Sequence, residues 1–162
     1  MTSPIDKRVA SHVRTYRSRG FDCLCGNLRM ASRALTALYD GYLAPSGLTS
    51  GQLPVLWCVI ASEPLSLREI ADWLVMDKTT VSRNVAALAD MGLIALGAGP
   101  DARVKLASST PKGRKAFAEA MPRWKAAQAH VEKKIGRPDF LRAVTDTKRL
   151  ARKVQGGAQP RG

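Results

Sequence analysis

Apolar residues recur every three or four positions over most of the chain, which predicts a mainly helical protein. From Phe21 to Leu43 this spacing predicts one amphipathic helix of about 33 Å, ended by Pro45 and Gly47. The segment LPVLWCVIA at 53–61 is apolar almost all round. It therefore predicts a buried second helix.

Two shorter helical patterns follow and are separated by a tight turn. Ser66 and Glu69 have the spacing of a capping box before the first of them. The second begins with Asp77 as its N-cap and ends at Gly92. Its predicted apolar stripe contains Val81, Val85 and Leu88, and the opposite face carries Lys78, Thr79, Ser82 and Arg83. Two short helices with such a turn are typical of a helix-turn-helix, and residues 78–91 are then a candidate DNA recognition helix. The alternative is an ordinary surface helix with a polar front.

Short β-like runs follow Gly92. LIAL at 93–96 and RVKLAS at 103–108 are separated by the turn-rich segment GAGPDA. A hairpin directly after a helix-turn-helix is typical of a wing. Leu65 and Leu67 are further candidates for a minimal strand.

The last part of the chain predicts two more helices. Thr110 and Pro111 are a favourable N-cap and first position for a helix that extends to about Ile135, with a kink expected near Pro122. After Gly136, residues 137–154 form a last amphipathic pattern.

The charge of the chain points to a polyanionic partner. There are 26 Lys and Arg residues against 13 Asp and Glu, a net charge of +13. Double-stranded DNA is the first candidate. A membrane surface is the second, but no segment approaches the roughly 18 apolar residues of a spanning helix, and no interaction with a membrane is expected.

The N-terminus has no apolar secretion signal and the three cysteines have no framework spacing, so we expect a cytoplasmic protein.

Four stretches in order resemble the MarR family of bacterial winged-helix repressors. They are LRMASRALTALYDGYLAPSGLTSGQLPVLW at 28–57, LREIADWLVMDKTTVSRNVAALADMGLI at 67–94, DAR at 101–103, and TPKGRKAF with the later PRWKAAQ at 110–128. The resemblance extends over roughly residues 24–150. It implies a winged helix-turn-helix, mainly α with a small β wing, flanked by N- and C-terminal dimerisation helices.

The resemblance also implies an obligate homodimer. The expected organisation is a basic N-terminal arm at 1–20, helical dimerisation regions at 21–47 and 111–155, a DNA-binding domain at 48–110 and a disordered tail at 156–162. The residues themselves also indicate a dimer, because the apolar stripes of the terminal helices are too long for one small domain to cover. A monomer that folds these helices onto its own winged domain is the alternative.

A dimer of this kind would bind a pseudo-palindromic operator with recognition helices about 34 Å apart. Arg83 is the best candidate for bidentate contact with guanine, while Thr79, Thr80 and Ser82 can reach bases or phosphates and Lys78 can reach phosphate. The family resemblance implies that Asp101 orients Arg103 into the minor groove.

The family resemblance further implies release of DNA when a small aromatic or phenolic anion binds, or when a cysteine is oxidised. Arg29, Tyr39 and Trp57 are candidates for the ligand pocket, although Trp57 is also consistent with plain core. Cys23 and Cys25 lie at the start of the first long helix and are candidate redox sensors. The alternative is that both are small residues without chemistry.

No catalytic constellation, metal-ligand spacing or cofactor motif is visible, so we do not expect an enzyme. The competing function is an architectural, nucleoid-type protein that binds DNA without sequence preference. It would bind operator and random duplex alike, whereas a repressor should favour its site by about a thousandfold or more.

Overall fold

The computed structural model describes residues 9–10, 13–14, 22–99, 101 and 104–154. The expected tail at 156–162 and most of the expected arm at 1–20 lie outside these residues. The chain divides into two compact units, Met1–Ala37 and Leu38–Gly162. No helix in the described part is long and apolar enough to cross a membrane.

Between residues 22 and 154, the described part of the chain contains six α-helices and three strands in the order that the sequence predicts. The helices are α1 (Leu24–Leu43), α2 (Gln52–Ser62), α3 (Leu67–Leu74), α4 (Lys78–Asp90), α5 (Pro111–Ile135) and α6 (Arg137–Val154). The strands are β1 (Leu65–Ser66), β2 (Ile94–Ala98) and β3 (Lys105–Ser109), and a short 3-10 turn, Ala44–Ser46, follows α1. The fold is therefore mainly α with a small β wing, as expected.

Local capping explains where the helices of the second unit begin. Ser66 and Glu69 form both hydrogen bonds of a capping box ahead of α3. Thr49 and Gln52 exchange the equivalent pair, with helical geometry beginning only at Gln52. Thr110 accepts from the backbone N–H of Gly113 and caps α5. The chain thus supplies its own start signals for these three helices.

The three strands form one antiparallel sheet in the order β1-β3-β2. Ile94 pairs with Ser109 and Ala98 with Lys105, which is the predicted wing hairpin. The minimal strand is Leu65–Ser66, paired with β3; the expectation that Leu67 belongs to it was wrong, because Leu67 is the first residue of α3.

The core lies between α2, α3, α4 and the base of the sheet. Its largest fully buried side chains include Leu56 from α2, Ile70 from α3 and Leu88 from α4. The all-round apolar character of 53–61 is explained by this position, since α2 buries five residues.

The helices at the two ends of the chain bury very little. Leu43 is the one buried residue of α1, and α6 has none. α5 continues as one helix of 25 residues through Pro122, where the sequence predicted a kink.

Candidate nucleic-acid interface

The outward face of α4 is polar, as its sequence predicts. Val81, Val85 and Leu88 are buried against the core. Lys78, Thr79, Thr80, Ser82 and Arg83 are all exposed. The structure therefore brings the predicted contact residues of this helix together on one accessible surface.

The first turn of α4 is fixed by Asp77. Its carboxylate accepts from the backbone N–H of Thr80 at 2.9 Å and from the Thr80 hydroxyl at 2.6 Å. These hydrogen bonds hold the pKa of Asp77 below its ordinary value. Because its hydroxyl proton is committed to Asp77, Thr80 has less freedom to contact DNA than Thr79 or Ser82.

The turn between α3 and α4 contains an unusual backbone conformation. Val75 adopts φ 58° and ψ 41°, and its backbone N–H donates to the carbonyl of Ala71. This left-handed conformation is normally left to glycine or asparagine. Its valine side chain is half exposed, with a relative accessibility of 52%.

The tip of the wing is described only in part. Asp101 is exposed, and its backbone carbonyl accepts from the N–H of Val104 at 2.8 Å. The predicted minor-groove residue Arg103 lies outside the described residues. The proposed orientation of Arg103 by Asp101 therefore stays a prediction.

The base of the wing is joined to neighbouring elements by a charged cluster. The Arg114 guanidinium donates to the Ser109 hydroxyl at 2.6 Å and lies 3.5 Å from the Glu63 carboxylate. Glu63 also accepts from the backbone N–H of Ser109. Hydrogen bonding by Ser109 and the nearby guanidinium lower the pKa of Glu63. The cluster ties the end of β3 to the loop after α2 and to the first turn of α5.

A second set of hydrogen bonds joins the C-terminus of α4 to the start of α5. Gly92 has φ 71°, and the N–H groups of Gly92 and Leu93 donate to the carbonyls of Ala89 and Leu88, which closes a Schellman motif. The Thr110 hydroxyl donates to the carbonyl of Gly92 at 2.7 Å. The Lys112 ammonium donates to the carbonyl of Met91 at 2.7 Å. We call these contacts, between residues 91–93 and 110–113, the α4–α5 joint.

The joint is closely packed as well as hydrogen-bonded. A Cβ atom added to Gly113 would overlap the carbonyl oxygen of Leu93 and lie 2.9 Å from its carbonyl carbon. Only glycine fits at position 113 without movement of the backbone. α4 is therefore coupled directly to the first turn of α5.

The three candidate pocket residues have separate surroundings. Arg29 is exposed on α1. The Tyr39 hydroxyl donates to the side-chain carbonyl of Gln128 at 2.6 Å, and burial raises its pKa. Trp57 is 44% exposed and packs edge-to-face on Trp73 of α3, with ring centroids 5.5 Å apart. Trp57 is thus more exposed than a plain core residue would be, and the pocket stays a prediction.

The cysteines differ in accessibility. Cys23 and Cys25 are exposed, and the Cys23 sulfur accepts from the backbone N–H of Gly26 at 3.4 Å just before the first turn of α1. Cys58 is buried in α2, where burial raises its pKa to about 11. Cys23 and Cys25 are therefore far more accessible to an oxidant than Cys58.

Neither the α4–α5 joint nor the charged cluster of Glu63, Ser109 and Arg114 at the base of the wing was recognisable from the sequence. Thr110 was recognisable as a cap, but its second contact is with a residue 18 positions earlier. Lys112 and Arg114 resemble ordinary exposed cations in a first helical turn, and Glu63 lies 51 positions before its arginine partner. Such contacts can be found only once the elements are packed. Among the described residues, no cluster of His, Cys, Asp and Glu could hold a metal ion.

Comparison with known proteins yields DNA-binding regulators. A family model described as "MarR family" matches residues 46–103. The uncharacterized HTH-type transcriptional regulator YwoH of Bacillus subtilis (strain 168) is 29% identical over 96 residues, which are 59% of this chain and 70% of YwoH.

Solved structures match over more of the chain. The transcriptional regulator MosR of M. tuberculosis, crystallised in complex with DNA, is 35% identical with a TM-score of 0.75, covering 83% of this chain and 98% of MosR. CouR from Rhodococcus jostii RHA1, crystallised with p-coumaroyl-CoA, has the same fold at 21% identity and a TM-score of 0.68, covering 80% of this chain and 92% of CouR.

Proposed function

Because the chain belongs to the MarR family, we propose that it is a sequence-specific transcriptional repressor that binds a pseudo-palindromic operator as a homodimer. The observation that carries this proposal is α4, whose capped first turn presents Lys78, Thr79, Ser82 and Arg83 on one exposed face. The net charge of +13 supplies the long-range attraction to DNA. MosR, whose structure contains DNA, supports the same assignment.

Within this proposal each residue has a distinct role at the operator. Arg83 reads a guanine in the major groove, and Thr79 and Ser82 contact bases or phosphates. Lys78 pairs with a phosphate. Thr80 is retained as a contact residue through its hydroxyl oxygen. Arg103 enters the minor groove from the wing and is oriented there by Asp101.

The dimer is supported by the helices that one chain leaves uncovered. Leu24, Met30 and Leu35 of α1 and Leu141 of α6 are each at least 43% exposed. Apolar stripes of this kind require a cover, and a second copy of the same chain provides it symmetrically. Each protomer then supplies one recognition helix to one half-site.

The test is binding of the purified protein to the promoter beside its own gene and to a random duplex of equal length, measured over a series of salt concentrations. A repressor should bind the promoter about a thousandfold more tightly or better. An architectural protein would bind both duplexes equally, with a steep dependence on salt. Equal affinity would therefore replace the proposed function by the nucleoid-type alternative.

The repressor is further proposed to release DNA in response to a small aromatic or phenolic ligand. CouR, crystallised with p-coumaroyl-CoA, supports a ligand response in this fold. The candidates from the sequence are Arg29, Tyr39 and Trp57. The ligand concentration needed for release should rise in each of three variants, Arg29→Gln, Tyr39→Phe and Trp57→Ala. An unchanged concentration in all three would exclude these residues as the ligand pocket.

Oxidation of Cys23 or Cys25 is the second candidate signal, supported by the exposure of both thiols. Operator binding should be compared before and after peroxide in the wild type, in Cys23→Ser, in Cys25→Ser and in the control Cys58→Ser. Peroxide should weaken binding in the wild type and in Cys58→Ser, and should have less effect in at least one of the other two variants. Full operator binding by the oxidised wild type would exclude a redox switch.

A further inference from the structure

The positive charge of the chain is concentrated outside the helix-turn-helix and the wing. Residues 48–110 contain 5 Lys and Arg against 6 Asp and Glu. Residues 111–154, which span α5 and α6, contain 13 Lys and Arg against 4 Asp and Glu. An interface to DNA made by α4 and the wing alone would therefore leave the cations of α5 and α6 without a polyanionic partner.

The last two turns of α6 carry a compact group of these cations. Four of them lie within about 8 Å along the helix axis, and we call them the α6 basic face: Lys148, Arg149, Arg152 and Lys153. Their spacing of one, four and five residues places them on one side of the helix, and all four are exposed. Within the described part of the chain, Arg149 is paired with Asp146 at 2.8 Å, and the other three have no carboxylate at ion-pair distance.

The α6 basic face lies on the side of α6 that does not pack against the protein. Phe140, Val144 and Leu150 are half-buried, whereas the other residues of α6 are exposed. With 3.6 residues per turn, the mean direction of these three side chains is about 160° around the helix from that of the four cations. A dimer that covers the apolar side of α6 therefore leaves the basic face open to solvent.

We propose that the α6 basic face binds the phosphate backbone of a second DNA duplex while α4 holds the operator, so that one dimer bridges two DNA segments. This proposal rests on the proposed function, because the dimer and its operator are taken from there. Binding at the face is independent of sequence, since contacts to phosphates carry no base readout.

The chemistry of the face favours duplex DNA over an anionic membrane. A duplex carries one negative charge per about 1.7 Å of its axis, so phosphates are close enough together to pair with clustered cations. A helix that lies in a membrane interface needs a broad apolar face. In the last two turns of α6, Val154 is the one large apolar side chain that is exposed. The attraction is therefore electrostatic, with little apolar surface available for insertion.

The position of α6 favours a duplex other than the one on α4. Gly113 lies in the α4–α5 joint and Ile135 is the last residue of α5, about 33 Å away along the helix. The ion pair of Arg137 with Glu132, at 2.8 Å, joins the first residue of α6 to this remote end of α5. α6 thus begins at the end of α5 that is far from the recognition helix, which separates the two DNA-binding surfaces.

The test is capture of a second duplex by protein that is already bound to its promoter. The shortest promoter duplex that retains full affinity is immobilised and saturated with the full-length protein, and a fluorescent random duplex is then added. The wild type should retain the random duplex, and a surface with promoter but no protein should not. Capture should weaken steeply with salt, because each phosphate contact releases counterions.

A triple variant removes the three unpaired cations of the face. Lys148→Gln/Arg152→Gln/Lys153→Gln should lower the affinity for the captured duplex about tenfold or more. It should also lower the slope of log affinity against log salt by about three, one for each lost phosphate contact. Glutamine has nearly the helix propensity of lysine and arginine, so α6 should persist, and thermal melts establish this.

The matched control, Arg123→Gln/Lys125→Gln/Lys133→Gln, removes three exposed cations from α5. It should capture the random duplex as the wild type does. The two triple variants should bind the short promoter duplex with equal affinity, because they have the same net charge and neither touches α4. An equal loss of capture in both would show that net charge, rather than the α6 basic face, attracts the second duplex, and would overturn the assignment.

The bridging proposal and the proposed function can fail separately. A wild type that binds the promoter tightly but captures no random duplex overturns the second surface and leaves the repressor. Equal affinity for immobilised promoter and random duplexes, with capture still lost in the α6 variant, overturns the repressor and leaves the surface.

Two further measurements separate the second duplex from other polyanions. Bridging is wrong if the α6 variant binds a promoter extended by flanking DNA more weakly than the control does and the wild type captures no second duplex, because the face then contacts operator flanks. Flotation of the wild type with phosphatidylserine vesicles that is lost in the α6 variant, without capture of a duplex, would replace DNA by a membrane surface.

Discussion

At the scale of single residues, Val75 shows how strain is accommodated in the helix-turn-helix. A branched side chain in the left-handed region costs about 1–2 kcal/mol. Val75 nevertheless occupies it, because its N–H caps α3 and the chain must reverse there to enter α4. The conformation is imposed by the packing of two helices on either side.

Replacement of this valine should therefore stabilise the protein. Val75→Gly removes the clash of the Cβ substituents and is expected to raise the free energy of unfolding by about 0.5–1 kcal/mol, after the greater flexibility of glycine in the unfolded chain is included. Val75→Ala keeps the Cβ and should raise the free energy of unfolding by a smaller amount. Urea unfolding measures both variants. A Val75→Gly variant less stable than the wild type would mean that the valine side chain makes a contact worth more than its strain.

Two glycines should respond in opposite directions to the same substitution. Gly113→Ala forces a Cβ into the carbonyl of Leu93 and should lower the free energy of unfolding by about 1–3 kcal/mol. Gly41 lies in α1 with nothing within 4 Å of an added Cβ. Gly41→Ala should therefore raise the free energy of unfolding by about 0.5–1 kcal/mol, because alanine has the higher helix propensity. Equal effects in the two variants would contradict the close approach at the joint.

Arg83 and Lys78 should differ in what their removal changes at the operator. Arg83→Ala should weaken promoter binding by about 1–3 kcal/mol and relax the sequence preference. Lys78→Ala should weaken binding to all duplexes and lower the slope of log affinity against log salt by about one. The measurement is anisotropy with promoter and random duplex at several salt concentrations. Unchanged promoter affinity in Arg83→Ala would remove this residue from the interface.

At the scale of elements, helix starts were the most predictable features of the chain. Ser66, Asp77 and Thr110 each lie three residues before the N–H that they cap, so sequence neighbours carry the whole signal. The wing strands were predictable within one or two residues for the same reason. Contacts such as Lys112 with Met91 depend on how helices pack, and nothing in the local pattern distinguishes these residues from other exposed or terminal positions.

The cap of α4 makes a prediction about pH. The folded-state pKa of Asp77 is lowered, so its contribution to stability is complete above the unfolded-state pKa and disappears as pH falls through the folded-state pKa. Asp77→Asn retains an uncharged cap without this titration. The wild type should exceed Asp77→Asn in melting temperature at neutral pH, and the difference should vanish in acid. A difference independent of pH would show that the carboxylate charge is not involved.

At the scale of the whole molecule, the exposed apolar residues of α6 predict a dimer. Light scattering at micromolar concentration should give twice the chain mass of 17.5 kDa. Leu141→Glu places a charge on the α6 face and should lower the dimer fraction, because a buried unpaired carboxylate is unfavourable. Leu96→Glu is the matched control, since Leu96 is exposed on the wing hairpin. A monomeric wild type would overturn the dimer and favour the monomer alternative.

The joint between the recognition helix and α5 has a mechanical consequence. α5 has 25 residues and is about 37 Å long, and its first turn, from Thr110 to Gly113, is held at the α4–α5 joint. Any tilt of α5 therefore pivots about this turn. Over this length, a displacement of about 3 Å at the C-terminus of α5 corresponds to a tilt of only about 5° at its first turn. Pro122 cannot donate to the carbonyl of Ala118, which makes that turn the most flexible part of α5. A movement of α5 between Gly113 and Pro122 is therefore transmitted to the recognition helix with less damping than a movement beyond Pro122.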